Sequence, residues 1–364
     1  MQPSSISLAR LFAAGILAAG CSSAPGDTAG LGMPPQASGT NVDATNDAGA
    51  SSGTTAASGA EGGASRSPDA AAADAEVSAD AGASADLAPA QGALLGHFYG
   101  NGTVAQTDAM IGRKPRIHLN YYDWVTDWTK DSAIADDFAT GKIPLVNWEP
   151  FDASGSMISF DDVISGRYDA DIDARAVGAK ALGNRFFLDF AAEMNGDEAW
   201  SGHDPATYVT AWRRVHDRFV AAGATNVVWA WCPNVTDSDN TNNTTMSYYP
   251  GDAYVDWTGV DGYNWGTSDP NFTWQSFRDV FKNVYPLLAK VGKPILVGET
   301  ASDEVGGSKA QWIADIVPTL KADFPMIKAL VWFDIKKERA WQINSSASAL
   351  AAYQKMAIDP YMNP

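Results

Sequence analysis

Two glutamates that lie far apart in the sequence each follow a short apolar run. Glu193 stands in the segment AEMNG at residues 192–196, and Glu299 stands in VGET at residues 297–300. Each falls where a buried strand would reach solvent. If a fold brings them together, one carboxyl group can protonate a glycosidic oxygen while the other meets the positive anomeric carbon. The pattern predicts a glycosidase with Glu193 as the acid/base and Glu299 as the nucleophile.

Eight apolar or aromatic runs from residue 94 onward predict the strands that position these glutamates. They are short and lack strict alternation, which is typical of strands buried on both faces. The runs are Leu94–Tyr99, Arg116–Tyr121, Pro144–Trp148, Arg185–Ala191, Asn226–Trp231, Trp257–Gly262, Pro294–Gly298 and Ala329–Phe333. Helical apolar spacing lies between several of them. These predicted helices are Asp169 to Leu182, Asp204 to Gly223, Thr273 to Gly292 and a segment from Ser308 onward.

Strand followed by helix, repeated to a count of eight, predicts an α/β fold of the (β/α)8 TIM barrel type over residues 93–364. The alternative is a doubly wound open sheet, in which a Gly-rich turn is expected after the first strand. The sequence contains neither G-x-G-x-x-G nor G-x-x-x-x-G-K, so a nucleotide site lacks its usual signature. In a barrel, the active site lies at the C-terminal ends of the strands.

Polar and aromatic side chains collect at these predicted strand ends. Tyr263 is well placed to hydrogen-bond Glu299, and rim tryptophans offer flat apolar faces to sugar rings. Predicted substrate contacts are Tyr263, Trp332, Trp265, Trp231, Asn195, Trp148, Glu149 and Trp200. For Glu149 a structural ion pair is an equal alternative. Asp189 and Asp261 are expected to be structural, Asp189 in a buried pair.

Four segments together resemble glycoside hydrolase family 26. They are RFFLDFAAEMNG (185–196), NVVWAWCPN (226–234), VDWTGVDGYNW (255–265) and PILVGET (294–300). They occur in the family's order, each at the matching strand. The resemblance implies a retaining barrel enzyme in which Glu193 is the acid/base and Glu299 the nucleophile. It also implies that Tyr263 is the partner of the nucleophile and that Trp332 is the platform under the sugar at the cleavage point.

The chain departs from the family pattern around the cleavage point. Well-known members carry histidine just before the acid/base, where this chain has Ala192. They often carry arginine four residues before it, where Asp189 stands, and the usual tryptophan five residues after it is replaced by Glu198, with Trp200 nearby. These positions surround the sugar, so the two glutamates support the reaction type better than they support one substrate.

The expected activity is retaining endo-hydrolysis of a β-linked polysaccharide. β-1,4-Mannan is the leading substrate, because most of the family attacks it. Mixed-linkage β-1,3-1,4-glucan and β-1,3-xylan are the alternatives within the family. A barrel that has lost catalysis and only binds glycans is the alternative outside the enzyme class.

The N-terminal part of the chain has the composition of an exported, tethered protein. Residues 1–20 predict a signal peptide, because Arg10 precedes an apolar run too short to span a bilayer. The sequence LAAGC at 17–21 resembles a bacterial lipobox, which implies that Cys21 is lipidated; an ordinary cleaved signal is the alternative. Residues 21–92 are rich in Ala, Gly, Ser and Asp and predict a disordered tether. The expected location is the outer membrane or cell surface, or the secreted fraction.

The net charge of the chain limits the classes of molecule that it is expected to bind. A net charge of −18 argues against nucleic acid and anionic membrane surfaces, so a neutral polysaccharide is the expected partner and a lipid anchor the sole membrane contact. Besides Cys21 the sequence has only Cys232, so no intrachain disulfide is expected if Cys21 is lipidated. The histidines show no metal spacing. The sequence therefore predicts a monomer that needs no metal or organic cofactor.

Overall fold

The computed structural model of the chain describes residues 87–100, 102–196, 198, 200, 204–237 and 243–364. The predicted signal peptide, Cys21 and most of the predicted tether lie outside the described residues, so the lipid anchor and the location stay predictions. Leu87 and Ala88 fall within the predicted tether, yet both pack against the interior of the barrel. The packed part of the chain therefore starts before residue 93.

Eight parallel strands close into a barrel in chain order within the described residues. They are β1 (Leu94–Tyr99), β2 (Ile117–Tyr122), β3 (Ile143–Trp148), β4 (Phe186–Phe190), β5 (Val227–Trp231), β6 (Trp257–Asn264), β7 (Ile295–Ser302) and β8 (Ile327–Asp334). The first strand pairs with the last from Leu94↔Ala329 to Tyr99↔Asp334. The predicted (β/α)8 barrel is confirmed, and each predicted strand overlaps an observed one.

Helices surround the barrel and cover its outer face. They are α1 (Val104–Ile111), α2 (Ser132–Thr140), α3 (Phe160–Ser165), α4 (Asp169–Leu182), α5 (Pro205–Ala222), α6 (Phe277–Phe281), α7 (Tyr285–Ala289), α8 (Lys309–Ala314), α9 (Ile316–Ala322) and α10 (Ala347–Ala357). Within the described ranges, no helix combines the length and apolar character needed to cross a lipid bilayer.

Local sequence explains where the helices begin and end. The Asp204 side chain accepts a hydrogen bond from the Thr207 amide at the start of α5, and Gly223 ends that helix with a left-handed φ of 76°. The helix predicted from Thr273 to Gly292 differs from the observed structure. It begins at Phe277, capped by Ser276, and is interrupted between α6 and α7.

The strand residues divide into an inner and an outer set, because successive side chains point to opposite faces. The inner cluster fills the barrel and consists of Leu94, Ile117, Leu119, Ile143, Leu145, Phe187, Ala192, Val228, Ala230, Cys232, Trp257, Leu296, Ala329 and Val331. The outer layer lies between the barrel and the helices and carries most of the large aromatic side chains. Both faces are buried, as is typical of a parallel sheet.

Candidate active site

Glu299 lies at a break in the regular alternation of β7. Val297 pairs with Leu330 of β8, but Thr300 pairs with Trp332, so the register shifts between them. Such an irregularity re-aims side chains, which is a common use of bulges beside active sites. Val297 belongs to the outer layer, yet Glu299, two residues later, lies against the barrel interior.

Two tyrosines hold the Glu299 carboxyl group. Tyr121 at the end of β2 donates its hydroxyl proton to Oε1, and Tyr263 of β6 donates to Oε2. The structure thus bears out the predicted Tyr263–Glu299 hydrogen bond. Tyr121 was missed, although it stands at a predicted strand end and shares the face of Ile117 and Leu119 by alternation. Both carboxylate oxygens therefore accept a hydrogen bond from the barrel wall.

Glu193 lies on a turn directly after β4. Ala191 and Glu193 both have positive φ angles, 51° and 54°, which is unusual for residues other than glycine. The Glu193 amide donates to the Cys232 carbonyl at 2.8 Å, and the Trp200 indole donates to the Ala192 carbonyl at 2.6 Å. Backbone strain of this kind persists only where surrounding contacts fix it, and it is common at active sites.

An asparagine after β5 contacts the Glu193 carboxyl group. Asn234 Nδ2 donates to Glu193 Oε1 at 2.9 Å. The Asn234 amide in turn donates to Asn195 Oδ1 at 2.8 Å, and Asn195 Nδ2 donates to the Asn234 carbonyl at 3.0 Å and to Asp237 at 2.8 Å. The prediction of Asn195 as a substrate contact is wrong. Its side chain is buried and engaged in joining the turn after β4 to the loop after β5.

The two carboxyl groups have different electrostatic environments. Burial raises the pKa of Glu193 well above its usual range, and the neighbouring charges of Glu299 and Glu198 raise it further, against the Asn234 hydrogen bond. Burial also raises the pKa of Glu299, but the hydrogen bonds from Tyr121 and Tyr263 oppose that effect. Because hydrogen bonds to a carboxylate favour its charged form, Glu299 is the group that ionises first.

Three of the predicted sugar platforms are wrong because their strands direct them outwards. Trp148, Trp231 and Trp332 are each 0 % exposed and belong to the outer layer. Trp148 stacks on Trp124 at 4.6 Å between ring centroids, and Trp332 donates from its indole to the Trp341 carbonyl at 2.9 Å. All three pack between the barrel and its surroundings and offer no face to a sugar.

Trp200 is also wrong as a predicted open platform. Its ring is 2 % exposed and packs edge-on against Phe151 at 5.1 Å, while its indole bonds the Ala192 carbonyl. Its role is to support the turn that carries Glu193. Phe333 follows Trp332 on β8 and by alternation points to the opposite face, and its ring lies 5.8 Å from that of Tyr263.

Trp265 and Glu149 directly follow β6 and β3 at the C-terminal end of the barrel. Trp265 is half-buried, stacks on Phe272 at 5.0 Å and has the Arg339 guanidinium 5.3 Å from its ring centre. Burial raises the pKa of Glu149 to about 8, and the charges of Glu198 and Glu299 add to that rise. The opposing charge comes from Lys337, in the loop after β8, which sequence reasoning missed.

Ala192, at the position where resembling enzymes carry histidine, is nearly fully buried. Its methyl group packs in the inner cluster with Ala230 and Cys232. No imidazole therefore stands beside Glu193 at this position. Among the described residues, no group of His, Cys, Asp and Glu side chains could hold a metal ion.

Comparison with known proteins identifies the family. The model of the family described as "Glycosyl hydrolase family 26" matches residues 155–356. The chain belongs to this family. The family is one of glycosyl hydrolases.

A curated relative of this family 26 chain is Endoglucanase H of Acetivibrio thermocellus. It is 40% identical over 255 residues, which cover 67% of this chain and 27% of the relative. The chain thus spans about a quarter of the length of Endoglucanase H.

Solved family 26 structures share the fold. A β-mannanase from Bacteroides ovatus has a TM-score of 0.58 at 18% identity, covering 75% of this chain and 90% of that one. The family 26 domain of an endo-β-mannanase/endo-β-glucanase from Prevotella bryantii has a TM-score of 0.55 at 14% identity, covering 76% and 91%. At such identities the likeness concerns the barrel and carries no substrate with it.

Proposed function

We propose that this family 26 chain is a retaining endo-β-glucanase in which Glu299 is the nucleophile and Glu193 the acid/base. The observation that carries the proposal is that two carboxyl groups in one site differ in their hydrogen bonds and neighbouring charges. Glu299 accepts hydrogen bonds at both oxygens from Tyr121 and Tyr263, whereas the charge of Glu299 raises the pKa of Glu193. Pairs of carboxyl groups whose environments separate their pKa values divide the acid and base roles in this way.

The proposed reaction has two displacements. In the first, Glu299 bonds to the anomeric carbon while Glu193 gives its proton to the departing glycosidic oxygen. In the second, Glu193 takes a proton from a water molecule as that water attacks the same carbon. Glu299 is released, and the sugar product keeps its original anomeric configuration. Trp265 and Glu149 are proposed as sugar contacts because both directly follow barrel strands and are partly exposed.

Glucan is preferred to mannan on two grounds. The relative at 40% identity is called an endoglucanase, whereas the solved mannanases from Bacillus subtilis and Bacteroides ovatus are 20% and 18% identical to this chain. The second ground is Ala192, which leaves a methyl group where the resembling enzymes place an imidazole beside the sugar. Mixed-linkage β-1,3-1,4-glucan, expected above as an alternative, thus becomes the proposed substrate. Mannan remains the second candidate because solved enzymes that share this fold include β-mannanases.

A substrate panel tests the proposal. The full chain is incubated with barley β-1,3-1,4-glucan, β-1,4-mannan and β-1,3-xylan, and new reducing ends are measured, with Glu299→Gln as the matched blank. We expect release from the glucan and, by proton NMR of the first products, the β-anomer. Initial α-anomer would contradict the retaining mechanism, and faster release from mannan would overturn the substrate. Glycan binding without release from any polymer would favour the inactive barrel.

A further inference from the structure

A small internal space lies directly beneath Glu299. It is narrow, and its apolar part is formed by Leu119 and Leu145. The rest of its wall is polar, with Asn147 from β3, Asp189 from β4 and Asp261 from β6. Two carboxyl groups in the interior of a barrel below a third one are unusual, because buried charges are costly unless they are paired.

Three oxygens in this space lack a partner. Asn147 Oδ1, Asp189 Oδ1 and Asp261 Oδ1 are fully buried and accept no hydrogen bond. Their side chains are 6 %, 3 % and 1 % exposed. All three atoms are acceptors if the carboxyl groups are ionised, so none of them can satisfy another. An unmade hydrogen bond in a buried site costs free energy comparable to the desolvation of the group.

The backbone is shaped to admit these groups. A methyl group on Gly298 would lie 2.6 Å from Asp261 Oδ1 and 3.2 Å from Cys232 Sγ, so glycine is what allows the Asp261 carboxyl to approach β7. The Glu299 backbone favours the ionised form of that carboxyl and opposes the rise in its pKa. On the other side of the space, Cys232 lies next to Asp189, and its thiol is neutral because burial raises its pKa.

The groups that face the two aspartates are acids or neutral. Asp261 is acted on by the charges of Glu299, Glu193 and Asp189. Asp189 is acted on by the charge of Glu299, next to the neutral Cys232 thiol. The phenols of Tyr121 and Tyr263 from the barrel wall and of Tyr208 from α5 lie within electrostatic range of these aspartates. Burial raises the pKa of Asp189 to about 8 and that of Asp261 well above its usual range.

We propose that Asp189 and Asp261 each keep their carboxyl proton at neutral pH and donate it in a hydrogen bond across the internal space. Glu299 is then the ionised carboxylate beside this space. Two protons supply two O–H donors for the three oxygens that otherwise lack partners. They also remove two negative charges from beside Glu299. Both aspartates are then positioning residues, and their link to catalysis rests on the proposed role of Glu299.

Unfolding measurements on Asp189→Asn test this without any substrate. In the unfolded chain an aspartate loses its proton at about pH 4, whereas folded Asp189 keeps it up to about pH 8. Between these values the native state binds the extra proton, so wild-type stability falls as pH rises. The amide that replaces the carboxyl group in the variant does not titrate. We expect the ratio of the variant's folding constant to that of wild type to rise by up to about tenfold per pH unit from about pH 5 to 8.

The matched control is Asp136→Asn, because Asp136 is exposed on α2. Its ratio to wild type should stay flat over the same range. A flat ratio for Asp189→Asn would overturn the proposal, since it would mean that Asp189 is ionised in the native state. If Asp189→Asn does not fold, Asp261→Asn provides the same measurement, with a rising ratio expected and a flat one again decisive.

Activity separates this inference from the proposed function. In Asp189→Asn we expect the acid limb of kcat/KM on β-glucan to stay in place, because the proposal leaves wild-type Asp189 without charge in that pH range. An acid limb that moves to lower pH would mean that an ionised Asp189 had been raising the pKa of Glu299, which contradicts the proposal. A stability ratio that rises with pH in a chain that cleaves no glycan would support the protonated aspartates and overturn the proposed glucanase function. A flat ratio in a chain that cleaves glucan would overturn the protonated aspartates and support the proposed function.

Discussion

The two halves of the active site hold their carboxyl groups by different means. Glu299 belongs to the barrel wall, where hydroxyls from β2 and β6 bond both of its oxygens. Glu193 stands on a strained turn that depends on Asn234 and Trp200 from the loops. The difference teaches that the group expected to ionise is fixed by the sheet itself. The group expected to carry a proton is fixed by loops, where burial and negative neighbours dominate.

The largest effect should come from the glutamates themselves. Glu299→Gln removes the proposed nucleophile and should lower kcat/KM on β-glucan by at least ~10³-fold. Glu193→Gln should cost ~10²–10⁴-fold on the polymer but much less on an aryl β-glucoside with an acidic phenol, because that leaving group needs no proton. Steady-state kinetics on both substrates check this. Equal losses for Glu193→Gln on both would contradict its role as the acid.

A smaller effect should follow from removing one hydroxyl beside Glu299. Tyr121→Phe or Tyr263→Phe each deletes a hydrogen bond to a carboxylate, worth about 1.5–3 kcal/mol. The pKa of Glu299 should rise by about 1–2 units, so the acid limb of kcat/KM moves up by that amount. The control is Tyr249→Phe, which loses a hydroxyl bonded to Asp252 at 2.9 Å outside the site. An unmoved acid limb in both variants would break the comparison.

The opposite limb should respond to Asn234→Ala. Asn234 favours the ionised form of Glu193, so its removal raises the pKa of Glu193. Loss of a single hydrogen bond of about 1 kcal/mol should move the alkaline limb of kcat/KM up by roughly 0.5–1 unit. The pH profile of the variant checks this. A shift of the acid limb instead would mean that the two carboxyl roles are exchanged.

The smallest effects on substrate binding should come from the outward tryptophans. Trp148→Phe and Trp332→Phe should leave KM unchanged and lower the free energy of unfolding by about 1–3 kcal/mol, because both rings lie in the outer layer. Trp265→Ala should raise KM by roughly 3–10-fold through lost stacking. Kinetics and urea unfolding check these variants. A comparable rise in KM for Trp332→Phe would show that its ring reaches the sugar.

Much of the fold was accessible from sequence because its signals are local. Short apolar runs predict strands, and Asp204 and Gly223 mark the ends of α5. The two glutamates stand out because each follows such a run. Their hydrogen-bond partners Asn234 and Tyr121 were harder to find, since they come from other strands and loops, and Lys337 comes from a loop whose path no periodicity describes.

The direction of the tryptophans was not accessible for a physical reason. Strands buried on both faces are apolar throughout, so alternation groups residues by face without telling which face is inside. Trp229 and Trp231 share a face by alternation, and both lie in the outer layer. The bulge near Gly298 adds to the difficulty, because it places Glu299 on the face opposite to that of Val297 despite their even spacing.

The paired tyrosines at Glu299 have a consequence for the covalent intermediate. A carboxylate offers two equivalent hydrogen-bond acceptors, but a glycosyl ester has a single good acceptor, its carbonyl oxygen. If Glu299 forms that ester as proposed, one phenol therefore loses its acceptor and is free to bond the newly attached sugar. Hydrolysis restores a symmetric anion that both phenols can bind again. The enzyme thus regains a hydrogen bond as it frees its product, which favours turnover over accumulation of the acylal.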